Sequence, residues 1–431
     1  MMTEPKRYVR LNPRFDREET LSLLKAEIVV QQQSTTTDCN SDQNEKYPLP
    51  VKWLRPTNDG QFEFYAIPGD FRLNRSSSFQ SGRVYGMDVT SGAAVLALLF
   101  DTYDCNKSES NRDDNMTPQE LRVLDLCCAP GLKLCMLADL IPLSSTVVGV
   151  DISQNRIQLC KNIIKKYHVN QMTSGPKDHH NKEVSSSSCS TIRLYCTDGT
   201  TFGTTRQLSG LIFDSNAEKQ ELPQGKRKRQ NKSARAREKR RLLELQRQEI
   251  IGADDSINTE EQNQKSDESV SNQSIDTNKT CCIPLFDRIL VDAECSTDGA
   301  IKHIQKREAS SKAPLWNDSN MSELVDLQKR LIESGFRLLK KGGILVYSTC
   351  SLNERQNEDV VRWLLDKYDD ACIIPVSFNK QDDSQQTPSF VEEGSVTGTI
   401  RFNPMANTKK GIKEEDCLPG TGFFLSKICK R

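Results

Sequence analysis

From residue 121 onward, short apolar runs alternate with longer amphipathic stretches, which predicts strands and helices in turn. The predicted strands are residues 121–126, 146–150, 191–196, 286–291, 343–347 and 423–428. The predicted helices are residues 132–140, 152–167, 322–339 and 357–368. Because the strands are apolar at almost every position, they favour a parallel sheet covered by helices on both faces.

The first 80 residues have a different pattern and predict a small separate module. Residues 18–30 have a helical pattern, a polar stretch follows, and an apolar, aromatic segment comes next. Residues 90–99 are apolar or small, which predicts a buried helix with Thr90 near its N-cap. We therefore expect an N-terminal module at residues 1–80, with possible RNA-binding activity, and a large domain at residues 81–431.

Two polar segments interrupt this alternation, at residues 169–190 and 215–280. Neither has enough apolar residues for a core, so we expect surface insertions that are largely disordered. The second contains a basic run at residues 226–241. Such a run is typical of a nuclear or nucleolar import signal, of an arm that binds phosphates, or of a solvated insertion without a partner. A nuclear, nucleolar or cytoplasmic location is compatible with these alternatives.

The composition limits the class of protein. Only 35% of residues are hydrophobic and the mean hydropathy is −0.61, which favours a partly unstructured chain. Lys plus Arg and Asp plus Glu balance at 59 each, so the net charge gives no support for a polyanionic partner. The 15 cysteines lack regular spacing, and we expect reduced thiols and no metal site. We also expect no signal peptide and no membrane-spanning segment.

The first chemical signal follows the strand at residues 121–126, where small residues at 129–131 lead into a helix. Small residues in such a turn let backbone N–H groups and the helix dipole face a ligand. Asp151 ends the next strand and suits ribose hydroxyls, and Asp198 follows the third strand and suits an adenine amino group. The turn has no G-x-G-x-x-G pattern, so S-adenosyl-methionine fits better than a dinucleotide. An ordinary turn with a helix-capping aspartate is the alternative.

Two cysteines lie where predicted strands end. Cys295 lies in Asp-Ala-Glu-Cys-Ser (292–296), and Cys350 lies in Ser-Thr-Cys-Ser (348–351). A thiol beside a nucleotide-type cofactor indicates a nucleophile. For an isolated cysteine, an inert buried thiol is the alternative.

Three motifs together resemble those of the Fmu/Sun family of RNA cytosine-5 methyltransferases. They are Cys-Ala-Pro-Gly-x-Lys (128–133), Asp-Ala-x-Cys-Ser (292–296) and Tyr-Ser-Thr-Cys-Ser (347–351). Shorter matches are Asn357-Glu358, Arg401 to Pro404 and Gly422-Phe423-Phe424. The resemblance implies an α/β fold with a Rossmann-like, seven-stranded sheet that binds S-adenosyl-methionine.

The resemblance also implies a division of labour among side chains. Cys350 attacks carbon 6 of cytosine, which makes carbon 5 nucleophilic enough to take a methyl group. Cys295 assists release of the covalent RNA adduct, and Asp292 bonds the cytosine N3 and amine. Lys133 lies close to the reacting centre. Because the base must leave its stack, single-stranded, looped or mispaired RNA is favoured, and ribosomal and transfer RNA are both compatible.

The cofactor site implied by the resemblance has four parts. It contains residues around the methionine end of the cofactor, residues beside the ribose and a residue beside the adenine. It also contains the aspartate of the motif at residues 292–296. In that order they are Cys128, Ala129, Pro130, Gly131, Leu132, Lys133 and Leu134; Asp151 and Arg156; Asp198; and Asp292.

Two positions depart from the family pattern. Leu132 replaces a second glycine, which is expected to crowd the carboxylate end of the cofactor. Glu294 replaces a proline and is expected to raise the pKa of Cys295 by its negative charge. These departures favour, as the alternative to an active enzyme, an RNA-binding assembly factor with the same fold and weak or no turnover. A methyltransferase for a small molecule or a protein would leave the paired thiols without a role.

Basic and aromatic residues are mixed in residues 7–10 and 71–75, as they are in RNA contacts. Ordinary surface is the alternative for each segment taken alone. The oligomeric state has no signal in the sequence.

Overall fold

A computed structural model describes residues 6–33, 47–54, 63–100, 120–169, 190–204, 210–220, 285–299, 318–376, 390–403 and 421–431. The helices in these ranges are α1 (Arg17–Gln33), α2 (Ser77–Gln80), α3 (Val89–Leu99), α4 (Leu132–Leu140), α5 (Gln154–Ile164), α6 (Ser215–Gln220), α7 (Asp318–Leu338) and α8 (Glu358–Lys367). Most of both predicted insertions, including the basic run, lies outside the described residues.

The N-terminal residues form a small antiparallel sheet. Its strands are β1 (Arg7–Leu11), β2 (Leu49–Pro50), β3 (Phe64–Ile67) and β4 (Val84–Gly86), in the order β2-β3-β1-β4. Helix α1 packs on this sheet through Leu24 and Ile28, which are fully buried. Helix α3 then begins at Val89, because the carboxylate of Asp88 accepts the N–H of Thr90 at 3.1 Å and caps the helix.

The remaining strands form one larger sheet. They are β5 (Arg122–Asp125), β6 (Thr146–Asp151), β7 (Thr191–Cys196), β8 (Leu211–Asp214), β9 (Phe286–Asp292), β10 (Leu339–Thr349), β11 (Ala371–Ile373), β12 (Val391–Glu393), β13 (Ile400–Phe402) and β14 (Phe423–Lys430). Their order is β12-β13-β14-β10-β9-β5-β6-β7-β8, and β11 pairs with β14. The centre of the sheet consists of seven neighbouring strands, which are β7, β6, β5, β9, β10, β14 and β13 in spatial order. The strands β8, β11 and β12 are short additions.

The prediction of a Rossmann-like α/β fold is confirmed, and the expected parallel arrangement holds for five of the strands but not for the predicted strand at residues 423–428. Strands β7, β6, β5, β9 and β10 are parallel. Strand β14 runs antiparallel to β10 and to β13, and the edge strand β8 runs antiparallel to β7. A strand that is buried on both faces is apolar throughout whichever way it runs, so its sequence does not reveal its direction.

Helices cover both faces of the larger sheet. Helices α3, α4 and α5 pack on one face, where strand residues such as Val123 and Val346 point. Helices α7 and α8 pack on the other, against residues such as Leu124 and Tyr347. Neighbouring residues of a strand therefore pack into the hydrophobic cores on opposite faces of the sheet, because side chains alternate along a strand.

A buried polar cluster joins the small sheet to the larger domain. The carboxylate of Asp139 on α4 is fully buried and accepts hydrogen bonds from Arg10, Arg14 and Tyr85. Burial opposes ionisation of Asp139, but the neighbouring cations outweigh it and hold its pKa well below the usual range. The predicted RNA contact at residues 7–10 is wrong for Tyr8 and Arg10, since both are buried.

Candidate active site

The predicted chemistry converges on one edge of the larger sheet. Strands β5, β6, β7, β9 and β10 are parallel, so their carboxyl ends meet there. Asp125, Asp151 and Asp292 are the last residues of β5, β6 and β9. Cys350 directly follows β10, on which Ser348 pairs with Asp292. In open α/β sheets, ligands bind outside this edge.

The sulfur atoms of Cys295 and Cys350 lie 3.0 Å apart, although 55 positions separate them in sequence. Cys295 is 7% exposed and Cys350 is half-buried. The N–H of Ala293 donates to the carbonyl of Ser348 at 3.1 Å, so the segments after β9 and β10 stay side by side. The fold therefore brings the two predicted thiols together.

The beginning of the last strand closes this region of the site. The N–H of Gly422 donates to the carbonyl of Gly299 (2.8 Å), and the N–H of Gly299 donates to the carbonyl of Cys350 (3.0 Å). A Cβ atom at Gly299 would lie 2.6 Å from the Gly422 oxygen and 2.7 Å from the Cys350 oxygen. Only glycine fits there, because three backbone segments pack directly against one another.

The two thiols hold their protons unequally. The hydrogen bond from Cys350 lowers the pKa of Cys295; burial opposes this effect, and the N–H of Thr297 adds to it. The same hydrogen bond and then burial raise the pKa of Cys350 well above its ordinary value. Two negative charges at this distance would repel each other strongly, so the pair loses a first proton far more readily than a second.

Contrary to the expectation for Glu294, the pKa of Cys295 is lowered overall, and the neighbouring charge that opposes this lowering is that of Asp292. The Glu294 side chain is exposed, where water and salt screen its charge. Its backbone carbonyl accepts a hydrogen bond from Gln328 Nε2 at 2.8 Å.

Asp292 is held by two side chains. Lys133 Nζ donates to Asp292 Oδ2 at 2.6 Å, and Ser348 Oγ donates to Asp292 Oδ1 at 2.8 Å. Burial alone would lower the pKa of Lys133, but the charge and hydrogen bond of Asp292 raise it overall. Lys133 therefore stays a cation, and the predicted residues Lys133 and Asp292 form one unit.

Asp125 lies in the electrostatic field of this ion pair, and no motif assigns it a role. It is 1% exposed, and burial, followed by the charge of Asp292, raises its pKa to about 7. The N–H of Cys127 donates to Asp125 Oδ1 at 3.3 Å. This carboxyl therefore binds a proton more readily than an ordinary aspartate, which limits the negative charge at this edge of the sheet.

The turn after β5 has the small-residue geometry that the sequence predicts. Gly131 precedes α4 with φ 106°, and a Cβ atom there would lie 3.3 Å from Cys160 Cα. Glycine suits both the left-handed backbone and this close approach. The side chains of Cys128 and Leu134 are buried, and Leu132 packs half-buried against the same core. Cys128 and Leu134 therefore offer a ligand their backbone atoms.

Asp151 and Arg156 form the next part of the edge. Asp151 Oδ1 accepts the N–H of Ser153 (2.9 Å), and Asp151 Oδ2 lies 3.5 Å from Arg156 Nη1. Arg156 Nη2 also donates to the carbonyl of Ala129 (3.0 Å), which ties α5 to the turn. Beside Asp151, Ile152 is 68% exposed and presents an apolar surface.

Asp198 lies in the turn after β7. Its Oδ1 accepts the N–H and the hydroxyl of Thr200, at 2.9 and 2.8 Å. Within the described part of the chain, the carboxylate bonds stay in this turn and do not join Asp198 to Asp151 or Asp292. Its predicted adenine-side role stays a prediction.

Four residues of this region were not identified from the motifs: Asp125, Ile152, Ser348 and Gln356. Asp125 had a signal, since it is a charged residue at the end of an apolar strand, like Asp151 and Asp292. Ser348 lies within a quoted motif, but its bond to Asp292 depends on the register of two strands. Gln356 depends on contacts between loops.

Two further properties concern the described residues alone. Among them, no helix is long and apolar enough to cross a membrane. In the same ranges, no three His, Cys, Asp or Glu side chains are grouped as a metal site would require.

A central block of parallel strands, an antiparallel strand β14 and a glycine turn before α4 define a Rossmann-like methyltransferase fold. The chain belongs to the family described as 16S rRNA methyltransferase RsmB/F, whose model matches residues 115–192 and 231–413. These ranges cover more than half of the chain. The resemblance to the Fmu/Sun methyltransferases is confirmed.

Relatives named ribosomal RNA small subunit methyltransferase F match the chain locally. The protein of Vibrio parahaemolyticus is 43% identical over 150 residues, which are 34% of this chain and 26% of that protein. The protein of an Escherichia coli strain is 42% identical over 87 residues, which are 20% of this chain and 17% of that protein. The matches thus span about a sixth to a quarter of these relatives.

Solved structures resemble the chain over almost its whole length. NSun6 from Pyrococcus horikoshii with SFG has a TM-score of 0.50 and 14% identity, covering 99% of this chain and 91% of that one. PH0851 has a TM-score of 0.53 and 17% identity, covering 99% of this chain and 60% of that one. At such identities the likeness concerns the fold.

Proposed function

We propose that this protein transfers a methyl group from S-adenosyl-methionine to carbon 5 of cytosine in RNA. The observation that carries the proposal is the pair of sulfur atoms, 3.0 Å apart, beside the ion pair of Lys133 and Asp292. A single buried thiol has many structural explanations. Two adjoining thiols at a ligand-binding edge, with a lysine-bound carboxylate, have a chemical one.

The cofactor-side residues fit S-adenosyl-methionine. Gly131 keeps side-chain atoms away from the first turn of α4, whose N–H groups suit a carboxylate. Asp151 suits ribose hydroxyls, and the exposed Ile152 suits an apolar ring face. When bound, S-adenosyl-methionine supplies an electrophilic methyl group on a positively charged sulfur.

The residues of the chain supply the nucleophile. Addition of the Cys350 thiol across the cytosine ring places sulfur on carbon 6 and a proton on N3. Carbon 5 then carries the electron density that it lacks in free cytosine and takes the methyl group. Asp292 accepts hydrogen bonds from the protonated N3 and the exocyclic amine, while Lys133 and Ser348 hold its carboxylate in place.

Release requires the second thiol. Ionised Cys295 removes the proton from carbon 5, the bond between sulfur and carbon 6 breaks, and the double bond between carbons 5 and 6 returns. Cys350 leaves as a thiolate and takes the proton back from Cys295 across 3.0 Å. N3 loses its proton to solvent, so one turnover releases one proton in all. The lowered pKa of Cys295 supports its role as the base.

Cytosine in a stacked helix does not reach such an edge, so we propose RNA with an unpaired or extruded cytosine as the substrate. The relatives are named for ribosomal RNA of the small subunit, which makes this RNA the first class to test. Bisulfite sequencing should compare RNA from cells with and without the protein. Loss of one 5-methylcytosine is expected without it, and unchanged methylation in every RNA class would contradict the proposal.

The raised pKa of Cys350 favours a second candidate, an RNA-binding assembly factor without turnover. A thiol that holds its proton strongly is a weaker nucleophile than a thiolate. Calorimetry with S-adenosyl-methionine separates the two candidates. Saturable binding supports the enzyme, whereas no binding at millimolar concentration supports the assembly factor.

A further inference from the structure

We infer that Gln356 is a positioning residue that sets the spacing between Cys295 and Cys350. Gln356 ends a short 3-10 turn at Glu354–Gln356, between Cys350 and α8. Its side chain is fully buried, although it carries two donors and an acceptor. A buried amide is retained where its hydrogen bonds hold specific partners in place.

The amide of Gln356 binds the residue that follows Cys295. Its Nε2 donates to Ser296 Oγ at 2.7 Å, and its Oε1 accepts the Ser296 N–H at 2.9 Å. Ser296 is itself buried, so water does not replace these bonds readily. The reciprocal pair ties the segment after β9 to the segment after β10.

A second anchor fixes Gln356 to the strand that leads to Cys350. The hydroxyl of Tyr347, a fully buried residue of β10, donates to the backbone carbonyl of Gln356 at 2.6 Å. Gln328 on α7 donates to Gln356 Oε1 (3.4 Å) and to the carbonyl of Glu294 (2.8 Å). Gln356 is therefore held from the Cys350 side and holds the Cys295 side, which makes it a side-chain link between the two segments, in addition to the backbone bonds of Ala293 and Gly299.

The consequence for chemistry rests on the proposed function. Formation of the adduct needs Cys350, whereas release of the RNA needs Cys295 within reach of carbon 5 of the same cytosine. Loss of the Gln356 bonds should let the Cys295 segment move away and should slow release more than adduct formation.

The spacing is measured without RNA by oxidation with diamide. The two thiols give their hydrogen atoms to the azo group of diamide, which becomes a hydrazine, and the sulfurs join as a disulfide. Peptide mapping by mass spectrometry follows this disulfide in Gln356→Met, Gln356→Glu and Gln80→Met. Methionine keeps the length of glutamine but removes both bonds, and glutamate keeps an acceptor for Ser296. Gln80→Met makes the same change at an exposed bond to the carbonyl of Asn74.

The wild-type protein is the reference for these rates, because Cys128 and Cys160, whose sulfurs are 4.0 Å apart, are buried and do not react with diamide. Relative to the wild type, we expect the disulfide of Cys295 and Cys350 to form about 10- to 100-fold more slowly in Gln356→Met. Gln356→Glu should be intermediate, and Gln80→Met should match the wild type.

With RNA and S-adenosyl-methionine, Gln356→Met should form the covalent adduct within about threefold of the wild-type rate and release methylated RNA about tenfold more slowly. Wild-type rates in both assays, or equal slowing in Gln80→Met, would overturn the inference. Failure of both Gln356 variants to fold would also overturn it, since the residue would then serve general stability. If the wild type methylated no RNA, the proposed function would be wrong. The diamide rates would still test whether Gln356 sets the spacing of the two thiols.

Discussion

Lys133 Nζ lies 2.6 Å from Asp292 Oδ2, so the first turn of α4 is tied to the end of β9. The pair is only partly shielded, with 17% and 24% of the two side chains exposed. Ser348 holds the other oxygen of Asp292, and each carboxylate oxygen keeps a further lone pair for a ligand. A charged carboxylate is thereby kept in one orientation at the edge where Cys350 emerges.

Asp292→Asn should lower methyl transfer by about 10²- to 10⁴-fold, because the amide keeps the shape but loses the charge that stabilises protonated N3. Single-turnover transfer of a labelled methyl group to RNA measures the effect. Asp287→Asn is the matched control, since Asp287 lies near the other end of β9 and bonds Lys340 at 2.7 Å. A control variant as impaired as Asp292→Asn would contradict the assignment.

Cys295→Ala should accumulate RNA bound covalently to the protein, because adduct formation survives while the base for release is lost. Denaturing gels with end-labelled RNA detect the complex. Cys350→Ala should form neither complex nor product, and the double variant should match Cys350→Ala. Free, fully methylated RNA from Cys295→Ala would show that the thiol roles are assigned wrongly.

Gly131→Ala should weaken S-adenosyl-methionine binding and destabilise the fold, because alanine disfavours a φ of 106° and would crowd Cys160. The left-handed strain alone costs about 1–2 kcal/mol. Gly342→Ala isolates that strain, since Gly342 has a φ of 74° and a Cβ atom there would meet no other atom within 4 Å. Urea unfolding and calorimetry should find both variants destabilised, but only Gly131→Ala defective in cofactor binding.

Asp125→Asn should change how stability depends on pH. Folding raises the pKa of Asp125 to about 7 from an ordinary value of 3.8, so the folded state favours the protonated carboxyl. The stability that Asp125 contributes is present below pH 4 and is lost as the pH rises through 7. Relative to the wild type, Asp125→Asn should therefore gain up to about 4 kcal/mol between pH 4 and pH 8. Parallel urea curves would contradict this.

Asp139→Asn should destabilise the fold by about 3–5 kcal/mol, because it removes the buried carboxylate charge that pairs with the buried Arg10. Asp214→Asn is the control, since its ion pair with Arg193 is partly exposed and is worth less than about 1 kcal/mol. Thermal unfolding of both variants tests the difference. An equal loss of stability in the two variants would mean that the buried polar cluster around Asp139 does not join the small sheet to the larger domain.

The sequence predicted the bounds of an element correctly where the residues of that element alone determine them. Strand β7 and helix α4 have the predicted bounds, because apolar runs end there in small or polar residues. The covering of the sheet by helices on both faces followed from strands that are apolar at almost every position, whereas the antiparallel direction of β14 did not. Strands β12 and β13 were missed, because three residues each, with Glu392 and Glu393 in one of them, leave no clear alternation.

The site was predictable as a set of motifs but not as a set of contacts. The order of the motifs predicted that Cys350, Cys295, Asp292 and Lys133 lie at the same edge of the larger sheet. The distribution of protons between the thiols depends on a separation of 3.0 Å that no local pattern encodes. The same holds for the pKa of Asp125 and for Gln356, since burial and partners from distant segments determine both.

The backbone contacts of Gly422 with Gly299, and of Gly299 with Cys350, have a genetic consequence. A nonsense or frameshift allele that removes residues 421–431 would spare every cysteine and aspartate of the proposed chemistry. It would nevertheless remove β14 from the middle of the sheet and one wall from the segment that follows Cys295. Such late-truncating alleles should therefore behave as complete loss of function.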